Sequence, residues 1–151
     1  MRFKGYRRKD GSVGVRNIVA IISCTGCINE VPKLISQGIP GTIPLGHNLS
    51  YSHLGTDLER SIWTLTNLAG NPKVYGVVLV GMGCEQMSPE KIYQSVLQFE
   101  KPVELFCTLS TPALWAWIRQ ENGQCQFCYP KPLRDGMITL LCITLVSKLW
   151  Q

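Results

Sequence analysis

Residues 74–85 read VYGVVLVGMGCE, a run of β-branched and apolar side chains that breaks into a glycine turn bearing a thiol and a carboxylate. Such a run between turn residues predicts a strand buried on both faces. Just beyond it, Ser88-Pro89-Glu90 supplies a capping hydroxyl and a proline at the first helical position, so a helix is expected to open there. In open α/β sheets ligands lie in the crevice at the carboxyl ends of the strands, which puts Gly81, Gly83, Cys84 and Glu85 where chemistry is usually placed. Taken alone, the stretch is equally a tight turn whose glycines permit unusual backbone angles and whose cysteine packs as a small hydrophobe.

Upstream, residues 18–22 (IVAII) have the same β-branched density and predict the first buried strand. It ends in Ser23-Cys24-Thr25-Gly26-Cys27. Residues 28–36 then predict a short helix, with Asn29 able to cap it, Pro32 tolerable in its first turn, and Gly38, Pro40 and Gly41 to stop it. A brief strand over 42–45 delivers Gly46-His47-Asn48 into a polar loop through His53, so both histidines of the chain fall in one loop. Thr56-Asp57-Leu58-Glu59 has the form of a capping box, and Leu58, Ile62, Leu65 and Leu68 repeat at helical spacing until Gly70-Asn71-Pro72. Past the central strand, Ile92, Val96 and Phe99 give the next helix one apolar face. Lys101-Pro102 ends it, and residues 103–107 are a fourth strand candidate. At the amino end, Asp10-Gly11 is a turn signal between a basic arm and residues 13–17, which places Arg16 and Asn17 at the entrance to the first strand.

Strands alternating with helices predict the α/β class: an open, mostly parallel sheet, Rossmann- or flavodoxin-like, with helices on both faces. From Cys107 onward the pattern scatters. Four of the seven cysteines and three of the four tryptophans lie there without a clear period, so the expected organisation is an α/β domain over residues 1–106 and a poorly defined tail over 107–151.

At 151 residues the chain has the length of one domain, enough to bury a core but short for a complete two-domain enzyme. The net charge of +5 comes largely from Arg2, Lys4, Arg7, Arg8 and Lys9, with no aromatic-interleaved basic stripe, which argues against nucleic acid and suits a small anionic molecule. The amino terminus lacks a secretory apolar core, and the longest late apolar run, 137–146, is too short to cross a bilayer. The expectation is a cytoplasmic chain without a membrane partner, whose cysteines are thiols or ligands rather than disulfides.

If the sheet is parallel, three strand ends converge on one edge: Cys24 and Cys27 after the first, His47 and Asn48 after the second, Cys84 and Glu85 after the third. Thiolates, an imidazole and a carboxylate in one crevice could ligate a divalent transition metal. Singly, His47 is as readily a structural hydrogen bonder, Cys24 a packing residue, and each basic side chain of the arm part of a solvated face.

The blocks Gly5-Tyr6-Arg7-Arg8, Asp10-Gly11-Ser12-Val13-Gly14-Val15-Arg16-Asn17, Thr25-Gly26-Cys27, His47 with Leu54-Gly55-Thr56-Asp57, and Asn71-Pro72-Lys73 leading to Val80-Gly81-Met82-Gly83-Cys84-Glu85 together resemble the second domain of the altronate and galactarate dehydratase family, over about residues 3–106. The resemblance implies a hydro-lyase that removes water from a sugar acid to give a 2-keto-3-deoxy acid with the help of a divalent metal, iron(II). Carried over by residue, it implies Glu85, His47 and Cys84 for catalysis and Cys27, His47 and Cys84 for metal. Arg16, Asn17 and Asn48 would bind the substrate, and the identity of the base stays open. A base must take the proton beside the carboxylate while an acid helps the hydroxyl depart, and the enolate between needs electrostatic stabilisation.

This chain departs from the family pattern at Ser50-Tyr51, where a glycine-cysteine pair is common, and at His53, where a glutamine is common. The family's larger carboxy-terminal domain is not matched, and the tail has the composition of a truncated gene or an out-of-frame extension. Two other readings stand beside the dehydratase. Cys24-Thr25-Gly26-Cys27 between strand and helix has the placement of a thiol redox or metal-binding pair, with Cys125-Gln126-Phe127-Cys128 as a second. Alternatively the chain is a non-catalytic remnant, or a subunit that works only with a partner supplying the missing domain.

Overall fold

A computed structural model describes residues 4–48 and 55–107. A two-stranded antiparallel hairpin, β1 (Tyr6–Arg7) and β2 (Val13–Gly14), precedes the main sheet. Then follow β3 (Ile18–Ser23), a 3-10 turn (Gly26–Ile28), α1 (Glu30–Gly38), β4 (Thr42–Leu45), α2 (Thr56–Gly70), β5 (Val74–Gly81), α3 (Pro89–Leu97) and β6 (Val103–Cys107). The sheet runs β4-β3-β5-β6 and every neighbouring pair is parallel. The expected α/β class and parallel sheet are what the chain forms. Readings that fell on Ser50, Tyr51, His53, Cys125, Cys128 or the rest of the tail lie outside the described residues.

Strand alternation sorts the core into two layers. Ala20, Ile22, Val77, Leu79 and Val103 meet Leu65 and Ala69 of α2 and Ile92 and Val96 of α3. Val19, Ile21, Val78 and Val80 meet Val31 and Ile35 of α1 on the other face. Residues from Val19 to Ile22 and from Val77 to Val80 are almost fully buried, which explains why both strands read as continuous apolar runs rather than alternating ones. Each valine, isoleucine and leucine among them contributes roughly 1.5–3 kcal/mol on burial.

Local chemistry explains most element ends. At α3, Ser88 accepts from Lys91 N and Pro89 sits in the first turn, as the sequence predicts. At α2 the helix starts one residue earlier than a Thr56 cap would have it. Gly55, at φ 57, holds the cap position, and no side chain caps the helix there, so the capping-box form is not used. The stripe on α2 is also rotated: Ser61, Leu65, Thr66 and Ala69 are buried, while Leu68 faces outward.

Among the described residues β4 is an edge strand. Val19 N donates to Gly41 O, which sets the odd-numbered residues of β4 towards β3 and leaves Pro44, which has no N–H, facing the open edge.

The hairpin is fastened to the amino edge of the sheet by Arg8. Its guanidinium donates to Pro72 O at 2.8 Å, to Asn17 Oδ1 at 2.7 Å and to Arg16 O at 3.0 Å. Gly14 lies so close beneath this loop that a Cβ there would sit 2.0 Å from Pro72 O. Nearby, Lys101 is buried, and its ammonium donates to Ala69 O at 3.0 Å and Asn71 O at 2.6 Å, satisfying carbonyls at the end of α2. The sequence marks Lys101-Pro102 only as a helix stop.

Candidate functional site

The chain leaves β3 towards α1 on one face and leaves β5 towards α3 on the other, although these two strands are neighbours. Adjacent strand tips that part in this way leave a crevice between them, the usual place for a ligand in an open α/β sheet. Its floor is the end of β3, whose ladder continues as Cys24 N donates to Val80 O at 2.8 Å. The three strand tips carrying the thiols, His47 and Glu85 therefore do share one edge.

His47 reaches β3 from the β4 side. Its Nε2 lies 2.8 Å from Ser23 O. A carbonyl can only accept, so Nε2 carries a proton in this contact. Asn29 completes the arrangement: Oδ1 accepts from Ser23 Oγ at 2.6 Å and from His47 N at 3.2 Å, while Nδ2 donates to His47 O at 2.8 Å. Asn29 does occupy the cap position of α1, but its side chain makes no cap bond, because it is engaged here.

Glu85 approaches from the β5 side. Oε1 accepts from Met82 N at 2.8 Å and Oε2 from Gly83 N at 2.5 Å, so the carboxylate closes the glycine turn on itself. Gly83 has φ 99, a conformation that favours glycine, and a Cβ on Gly81 would meet Glu85 Oε1 at 2.9 Å and Pro89 Cγ at 2.5 Å. Gly81 pairs with Cys107 of β6, and Ser23 with Val80, so Cys24, Gly81 and Cys107 form a row across three strands with the Glu85 carboxylate above its middle. Burial, and then the Glu85 carboxylate, push the Cys24 thiol far above its ordinary value. Burial, with Glu90 and Glu85, also raises that of Cys107.

Cys27, Cys84 and Asn48 are exposed at the same edge, on the turns and loop that leave the strands. Arg16 and Asn17 are not there. They precede β3 and so lie at the opposite edge, about 20 Å of strand away, where Arg8 takes the Asn17 side chain and the Arg16 carbonyl. Nor do the described side chains alone fit a resident metal ion: among the described residues no three of His, Cys, Asp and Glu are grouped to hold one. Cys27, His47 and Cys84 share an edge without forming a ligand cluster there.

Thr25 is a residue that the sequence reading left unweighted. It is 2% exposed, and among the described residues its Oγ1 is one of two buried side-chain oxygens without a hydrogen-bond partner, the other being Thr66 Oγ1. An orphaned hydroxyl is destabilising unless something supplies a partner. Among the described residues no helix is long and apolar enough to cross a membrane.

The family model for the second domain of D-galactarate dehydratase/altronate hydrolase matches residues 5–121. The chain belongs to this family. The match of the galactarate/altronate second domain runs past residue 106, where the sequence pattern breaks. The chain is 33% identical over 121 residues to the (2R)-sulfolactate sulfo-lyase subunit beta of Chromohalobacter salexigens, an alignment covering 80% of this chain and 28% of that protein. It is 34% identical over 93 residues to the altronate dehydratase of Bacillus subtilis (55% of this chain, 19% of that one) and 32% identical over 90 residues to that of Escherichia coli (53% and 18%). The chain thus spans less than a third of these curated relatives. No solved structure matches it.

Proposed function

We infer that this galactarate/altronate second domain is one part of a lyase acting on a 2-hydroxy acid, and that its share of the active site is the crevice edge around His47. Altronate, galactarate and sulfolactate, the substrates in the relatives' names, are all 2-hydroxy carboxylates with a departing group on the next carbon, a hydroxyl or a sulfonate. One mechanism serves both: a base takes the C2 proton, the C3 group leaves, and the enol formed becomes a 2-keto acid. Water elimination from an aldonate or aldarate is the specific reaction proposed for this chain, and sulfite elimination is the second reading, supported by the likeness to a sulfo-lyase subunit.

The observation that carries the proposal is the His47 imidazole, held through Nε2 on Ser23 O at the crevice edge between the tips of β4 and β3. His47 is proposed as the group that exchanges a proton with substrate. Glu85 keeps the glycine turn in shape, which places exposed Cys84 beside the crevice, and Asn48 and the Thr25 hydroxyl are proposed to meet substrate oxygens. A divalent iron would polarise the substrate carboxylate and hydroxyl as a Lewis acid. Any role of Cys27, His47 and Cys84 as its ligands needs further donors from outside the described residues or from a partner.

That partner is part of the proposal, because the matched relatives are several times longer and one of them is named as a beta subunit. The thiol redox alternative is disfavoured by Cys24: redox-active cysteines have lowered pKa values, and burial drives this one the other way. The test is to express the chain alone and with a partner carrying the remaining family regions, then follow 2-keto acid formation from altronate, galactarate and sulfolactate with and without iron(II). Product is expected only with the partner, and should fall at least a hundredfold in His47→Gln. Turnover unaffected by His47→Gln would reject the assignment.

A further inference from the structure

The glycine turn at the end of β5 offers two successive backbone N–H groups to one carboxylate. Met82 N donates to Glu85 Oε1 at 2.8 Å and Gly83 N to Glu85 Oε2 at 2.5 Å, so each oxygen takes one donor. Successive amides that converge on one group make an anion-binding concavity. Gly83, at φ 99, lets the chain double back so that Glu85 reaches them, and Gly81 leaves the space, since a Cβ there would lie 2.9 Å from Glu85 Oε1. The turn has anchors besides Glu85. Met82 is buried in the core layer of Ile21, Val78 and Val80 on the α1 side of the sheet, and Met87 is buried in the layer facing α2 and α3. Between these two methionines Gly83 and Cys84 are exposed. A carboxylate from outside would therefore meet the same two amides, already held in place.

We propose that the Met82 and Gly83 amides are a carboxylate-binding subsite, which Glu85 fills from within and which the carboxylate of the 2-hydroxy acid takes over. The inference rests on the reading of the crevice as part of a lyase site. Altronate, galactarate and sulfolactate, named in the relatives, all carry the group that Glu85 places there. The exchange is one for one: the incoming oxygens take the two N–H donors as the Glu85 oxygens leave, so neither amide loses an acceptor and the turn keeps its shape. An internal competitor weakens apparent binding by the fraction of time it leaves the site open. Its removal should therefore tighten binding, opposite in sign to the loss expected of a brace or of a carboxylate that acts on the substrate.

The test titrates sodium acetate into the ¹⁵N-labelled full chain, at an ionic strength held constant with sodium chloride, and reads the amide signals of Met82 and Gly83. In Glu85→Ala both signals are expected to follow a saturable curve that chloride alone does not produce, with a midpoint at least about tenfold below that of the wild type. Glu85→Gln, which keeps the length of the side chain without its charge, should fall between the two and serves if Glu85→Ala does not fold. Amides that ignore acetate in the folded variant, or a midpoint no lower than that of the wild type, would overturn the proposal. So would failure of both variants to fold, which would make Glu85 a permanent strut. In the partnered enzyme Glu85→Gln should lower KM for the hydroxy acid, and a raised KM would count against the exchange. If the amides bind acetate while the partnered enzyme forms no 2-keto acid, the carboxylate subsite stands and the lyase reading falls.

Discussion

At the amino edge of the sheet Arg8 places three hydrogen bonds on Pro72, Arg16 and Asn17, Lys101 places two on the end of α2, and Gly14 lies against Pro72 with no room for a methyl group. At the carboxyl edge the buried Thr25 hydroxyl has no partner among the described residues, Cys27 and Cys84 are exposed, and His47 Nε2 is tied to Ser23 O. One edge directs its polar groups inward to hold elements together. The other leaves thiols, an imidazole and an unpartnered hydroxyl at the ends of strands, where the proposed substrate would lie. Substitutions at the first edge should therefore cost stability, and at the second, function.

The strongest challenge to this division is His47→Gln. In the partnered enzyme it should lower turnover by about 10²–10⁴-fold while the chain's thermal midpoint moves little, and a loss of folding instead would place His47 on the structural side. Next is Gly14→Ala, which drives a methyl group into the Pro72 carbonyl. A loss of about 1–3 kcal/mol is expected, read as a lower urea midpoint at unchanged slope.

Lys101→Met comes third, leaving the Ala69 and Asn71 carbonyls without their donor, at a cost of about 1–3 kcal/mol. Burial, reinforced by the Arg8 charge and opposed by Asp10, brings the Lys101 ammonium down to about 8 from 10.5. Between those values the unfolded chain binds more protons than the folded one, so this lysine makes stability rise with pH from about 8 to 10.5. Urea midpoints across that range should climb more steeply in the wild type than in Lys101→Met. Equal slopes would show that the two carbonyls keep the ammonium charged.

The smallest stability effect is expected from Thr25→Val, within about 0.5 kcal/mol of the wild type or slightly stabilising, since it removes an unsatisfied hydroxyl without changing shape. Thr66→Val should behave alike. Only Thr25→Val should raise KM for the hydroxy acid, and equal kinetics in the two variants would remove Thr25 from the site.

Local signals carried most of the fold. The β-branched run of β5 and the Ser88-Pro89 start of α3 are complete within a few residues, and the βαβ alternation followed from them. The Thr56 cap went to Gly55 because a capping box and a helix that begins one residue earlier share the same letters. Arg16 and Asn17 were legible as flanking a strand, but their edge is set by strand direction: residues that enter a parallel strand lie away from the crevice that its other end forms. Asn29 and Lys101 were the hardest to read. Asn29 meets His47 18 residues on, and Lys101 meets carbonyls 32 and 30 residues back, contacts that only the folded chain brings together.

Pro44, facing outward from β4, has a consequence for how this sheet can grow. A further strand laid against that side would lack a donor in the middle of its ladder, whereas β6 at the opposite side carries no proline within its five residues. Of the two sides of the described sheet, only β6 therefore carries an unbroken set of backbone donors, which makes the two sides chemically unlike.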